Sequence, residues 1–232
     1  MPKAIKKRIA KKPADAEEEV KSKLAHLQDT LKERQKTVLK YGAIILVVVF
    51  AVTGFLFYTY SLQKKAKELE YEAYKIYYNV YQKQPLSREE QYRKALDMFK
   101  KAYDTRKSPV SLFYIAGCYY ELGQYDDALN ALKDFVQRYS NEGKFIPLAY
   151  QKMAMVYLKK GNINEAMNAI DSMYNLKGDI YKDFALIEYA RLLEREGKTE
   201  EAKKKYKELT TQFPDSPFSD EAKIKLSGKK EG

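Results

Sequence analysis

The chain has one cysteine, one histidine and no tryptophan among its 232 residues. A single cysteine excludes an internal disulfide and any cysteine-rich zinc site. A single histidine excludes a paired-histidine metal site and leaves little for histidine-based acid–base catalysis. Ten glycines and seven prolines are too few for a collagen-like or low-complexity chain. No glycine-rich phosphate loop, nucleophile elbow or H-E-x-x-H helix occurs in the sequence. Cys118 lies inside a helical apolar pattern and reads as an inert core residue. His26 lies among polar residues and reads as solvated. The acidic pairs Glu89–Glu90 and Asp126–Asp127 stand where helices begin, which suits the helix dipole before it suits proton transfer. The expectation is a non-enzyme that needs no cofactor and no metal.

Charge is plentiful but unevenly placed. The net charge is +11, and residues 1–40 alone carry 12 Lys+Arg against 6 Asp+Glu. The 23 residues between Lys40 and Lys64 carry no charge at all. As a helix they extend roughly 34 Å, enough for the hydrocarbon layer of a bilayer. Tyr41, Tyr58 and Tyr60 stand near the ends, where interfacial aromatics belong. The run is too long for the apolar part of a cleaved signal, and no small-x-small site follows it. The sequence therefore predicts an uncleaved signal anchor over 41–63. The basic arm over 1–40 would stay in the cytoplasm and the rest would be translocated. The concentration of charge beside the span argues for topology and lipid headgroups, so no nucleic-acid partner is expected.

The arm has two parts. MPKAIKKRIAKKPADAEEE is charged and contains proline, which predicts an unstructured start. Val20, Leu24, Leu27, Leu31 and Val38 then share one helix face, interrupted at Arg34. Such a face fits a short coiled coil, a surface-lying helix or a solvated stalk.

After the span the pattern repeats. Segments beginning at Ser111, Leu148 and Phe184 each contain a helical run, a glycine, three residues, then an acidic residue and an alanine. The glycines are Gly123, Gly161 and Gly197, and the alanines Ala128, Ala166 and Ala202. A degenerate earlier copy contains Ala95. This spacing resembles the tetratricopeptide repeat, a helix–turn–helix unit of about 34 residues. The resemblance implies an all-α fold: one N-terminal transmembrane helix, then an α-solenoid of about four repeats over 64–226, with a short disordered tail at 227–232. Ala116, Ala154 and Ala190 would let paired helices approach closely. The glycines would end the first helix of each pair. Pro109 and Pro147 mark helix starts, and Ser219–Leu226 would form a capping helix. In the first copy, Tyr71, Tyr74, Tyr78 and Tyr81 share a face and read mainly as core or cap residues. A partly exposed aromatic strip is the alternative.

By the same resemblance, the first helices line a groove for a partner. Its positions would be Phe113, Gly117 and Tyr120, then Gln151, Met155 and Leu158, then Ile187, Arg191 and Glu194. The carboxylate clamp of chaperone-docking relatives is replaced by Phe113, Gly117, Gln151 and Met155, so that mode is not expected. A groove rich in Met and Tyr suits an adaptable apolar contact with a partner helix or an unfolded segment.

The stretch from Ala169 to Leu209, with the arm, the span and the repeats, is similar to the YfgM-like ancillary subunits of the bacterial Sec translocon. That resemblance implies a single-pass inner-membrane protein with periplasmic repeats. Its partners would be the Sec translocon, a membrane-anchored periplasmic chaperone and exported or unfolded polypeptide segments. The closing QFPDSPFSDEAKIKL instead resembles periplasmic repeat proteins of outer-membrane assembly or the Tol system. A cytosol-facing, import-receptor-like orientation is the third reading.

Overall fold

The computed structural model describes residues 13–80, 86–141, 143–178 and 181–228. Every regular element among them is an α-helix. The chain divides into two compact units, Met1–Tyr60 and Ser61–Gly232.

In the first unit, α1 runs Pro13–Glu33 and α2 begins at Gln35. The expectation of an unstructured start through Glu19 is corrected here, because the helix begins at Pro13. Proline is well placed at a first helical position, where its missing N–H would have no intrahelical partner. The lysine-rich residues 1–12 lie outside the described residues. Val20, Leu24 and Leu27 are all more than half exposed. α2, Gln35–Tyr77, spans 43 residues and contains the whole uncharged run. It is the one helix among the described residues long and apolar enough to cross a membrane, and none of its apolar stretch is buried.

The second unit stacks helix pairs. The last turns of α2 precede α3 (Arg88–Thr105); α4 (Pro109–Glu121) pairs with α5 (Tyr125–Arg138); α6 (Ile146–Lys159) with α7 (Ile163–Tyr174); α8 (Lys182–Arg195) with α9 (Thr199–Gln212). α10 (Ser219–Ser227) closes the stack against α9. The residues that define the repeat behave as their size and flexibility require. Ala95, Ala116, Ala128, Ala166, Ala190 and Ala202 are all at most 1% exposed, and Ala154 is 4% exposed. Gly123, Gly161 and Gly197 have φ of +72°, +76° and +74°, the left-handed geometry that ends a helix. Pro109 and Pro147 sit in the first turns of α4 and α6.

The first pair is built differently. Ala66, Ala73 and Ile76 are the buried face of α2, with Tyr77 packed beside them. Tyr71, Tyr74 and Tyr78 are 60%, 43% and 50% exposed, so reading them as core is corrected in favour of an aromatic strip. Tyr81 lies outside the described residues. In α3, Gln91 Nε2 donates to the carbonyl of Tyr77 at 2.8 Å, satisfying an orphan acceptor at the end of α2. Ser87 and Glu90 form a capping box at the start of α3. Glu70 of α2 accepts hydrogen bonds from Ser108 and Ser111 at the start of α4, both at 2.5 Å.

Candidate partner groove

The predicted groove residues occupy three equivalent rows on α4, α6 and α8, counted back from each helix-ending glycine. The row furthest from the glycines is half-buried in two repeats and fully buried in the third. Phe113 is half-buried, with Phe135 and Phe145 at centroid distances of 6.0 and 5.6 Å. Gln151 is half-buried, and Ile187 is 0% exposed within the main core. Ile187 therefore cannot contact a partner.

The middle row differs from repeat to repeat. Gly117 is covered: a β-carbon there would meet Tyr77 Oη at 3.0 Å. Met155 is 38% exposed. Arg191 is exposed, but its guanidinium is already used. It donates to both carboxylate oxygens of Glu221 on α10 at 2.9 and 2.5 Å, and to Glu188 at 2.6 Å. It holds the capping helix, so assigning it to a partner is corrected as well. Glu194 lies 3.4 Å from Lys225 of the same cap.

The row nearest the glycines supplies the open surface. Arg88, Glu89, Tyr120, Glu121, Leu122, Tyr125, Met155 and Lys159 line a cleft of about 670 Å³. Tyr120, Met155, Leu158, Lys159 and Arg195 line an adjoining one of about 370 Å³. The two share Tyr120, Met155 and Lys159 and form one trough along the ends of the first helices. Three of the predicted residues, Tyr120, Met155 and Leu158, thus meet in one place. The groove is closed toward repeat one by Tyr77 and toward the C-terminus by α10, and the middle remains.

The electrostatics behind this floor are those of packing, not of chemistry. Lys152 lies with its ammonium 5.2 Å from the Tyr120 ring centroid, and burial pulls its pKa down. Burial pushes the Cys118 thiol up to about 12, with Glu121 adding to the effect. A thiol so perturbed stays protonated and unreactive. Among the described residues no group of three or more potential metal ligands occurs.

The stack of paired helices, glycine-ended first helices and alanine contacts defines an α-helical repeat scaffold. Such scaffolds act by presenting surface to other proteins. The chain belongs to the tetratricopeptide repeat-like domain family, which it matches over residues 35–227. A putative kinesin light chain from Podosopora anserina with nearly identical TPR-like repeats is similar in structure, with a TM-score of 0.51 and 14% identity. That match covers 72% of this chain and 85% of the other. MamA gives a TM-score of 0.49 and 14% identity, over 72% of this chain and 85% of its own. YrrB, a TPR protein with an unusual peptide-binding site, gives 0.43 and 16%, over 60% and 68%. No curated protein matches the chain.

Proposed function

We propose that this protein is a membrane-anchored protein-binding scaffold of the inner membrane, with its repeats in the periplasm. There it accompanies the Sec translocon and a membrane-anchored chaperone, and receives segments of exported polypeptides. The observation that carries the anchor is α2, which holds 23 uncharged residues with exposed faces and also the first helix of the repeats. The basic arm before it supports a cytoplasmic N-terminus. The trough at Tyr120, Met155 and Leu158 supports polypeptide binding, since a flexible thioether and a tyrosine ring adapt to varied apolar side chains. Protease treatment of sealed inner-membrane vesicles tests the orientation. In right-side-out vesicles the repeats should be cut, and in inverted vesicles they should be spared. The opposite result would reverse the topology and remove periplasmic partners. Co-purification in mild detergent tests the partner: recovery of a translocon subunit is expected, and recovery of Tol or outer-membrane assembly proteins instead would reassign it.

A further inference from the structure

The charges around the trough are not neutral in effect. Its two carboxylates are already engaged: Glu89 pairs with Arg93 at 2.7 Å, and Glu121 with Arg88 at 3.4 Å. The neighbouring Glu194 is engaged by Lys225. Lys159 and Arg195, which stand at equivalent positions two residues before Gly161 and Gly197, are exposed. Neither has a carboxylate within ion-pair distance among the described residues. Lys152, behind Tyr120, has the aromatic ring at 5.2 Å and the Glu121 charge nearby. Between the two free rim cations lies an apolar floor of Tyr120, Met155 and Leu158.

We infer that the trough selects acidic amphipathic peptide segments, whose apolar side chains pack on Tyr120, Met155 and Leu158 while their carboxylates meet Lys159 and Arg195. This rests on the polypeptide-binding reading above and adds its selectivity. The pairing is charge-complementary by elimination. Among the described residues, only anions find unspent partners at this rim, while a basic segment would have to displace Arg93 or Arg88 from an existing ion pair.

The test uses the full chain in lipid nanodiscs and three fluorescein-labelled peptides that differ only in charge. One is built of Leu, Phe and Glu; the others carry Gln or Lys at the Glu positions. Anisotropy should show the Glu peptide binding tighter than the Gln peptide, with affinity falling as salt rises, and the Lys peptide weakest. Lys159→Glu with Arg195→Glu should weaken the Glu peptide by about tenfold and favour the Lys peptide. The gentler pair Lys159→Gln and Arg195→Gln should abolish the preference without reversing it. Near-UV circular dichroism matching the wild type confirms that both variants are folded. If the Gln and Glu peptides bind equally, the acidic selectivity is wrong and the groove stands. If binding of every peptide survives Tyr120→Ala with Met155→Glu, the groove itself is wrong.

Discussion

Removing the Glu70 carboxylate should loosen the joint between the end of α2 and the rest of the repeats. Glu70 accepts from the hydroxyls of Ser108 and Ser111 at the N-terminus of α4. A carboxylate there is also favoured by the helix dipole. Ser111 is 0% exposed, so its hydroxyl cannot turn to water if the acceptor goes. Glu70→Ala loses charge-assisted hydrogen bonds and strands a buried donor, a cost of about 2–3 kcal/mol. For a domain of this size that lowers the melting temperature by about 5–10 °C. Ser111→Ala alone should cost less, because the small replacement leaves no buried polar group behind. The double variant should be milder than the two added together, by about 1–2 kcal/mol. Melting of the full chain in detergent micelles, followed by the tyrosine near-UV signal, reads the packed repeats and not the apolar helix. Additive losses in the double variant, or a Glu70→Ala protein that melts with the wild type, would refute the joint.

Other consequences are as direct. Arg191→Ala should free α10, lowering stability by about 0.5–1 kcal/mol for a partly exposed bidentate pair, read as faster amide exchange over Ser219–Ser227. That pair is pH-sensitive: the Arg191 guanidinium holds the Glu221 carboxyl below its ordinary value of 4.5. Its contribution is therefore complete above that ordinary value and fades as pH falls through the lower folded value. The wild type and Arg191→Ala should converge in acid, and a gap that widens there would contradict the pairing. Gly161→Ala meets no neighbour within 4 Å but forces alanine to φ of +76°; a loss of about 1–2 kcal/mol is expected in urea unfolding. Cys118 should resist thiol reagents at neutral pH until the protein unfolds, and prompt labelling of native protein would disprove its burial.

Much of the fold was legible because the repeat writes its constraints in small residues. Gly123, Gly161 and Gly197 mark positive φ, and the alanines mark helix contacts too close for larger side chains. In the first copy the buried alanines are Ala66 and Ala73, seven residues apart on one face, which the sequence reading did not single out. The more conspicuous tyrosines at 71, 74 and 78 share a helical spacing too, and size alone does not say which stripe turns inward. Ser87 three residues before Glu90 was a capping-box signature in plain view. The groove was less legible for a different reason. Position within a repeat gives a row, but what covers a row comes from elsewhere in the chain: Tyr77 over Gly117, Glu221 on Arg191. The Glu70 joint joins residues 38 and 41 positions apart, and no local pattern announces it.

The central claim is that partners are received at the open middle of the groove and not along all of it. Photo-crosslinking in intact membranes reads this residue by residue, with a benzophenone side chain placed in turn at Met155, at Tyr120 and at the exposed Lys133 of α5. Polypeptide adducts are expected at Met155 and Tyr120, weakened for acidic partners when Lys159 and Arg195 are both replaced by Glu, and none at Lys133. Equal capture at all three sites, or capture at Lys133 alone, would contradict it.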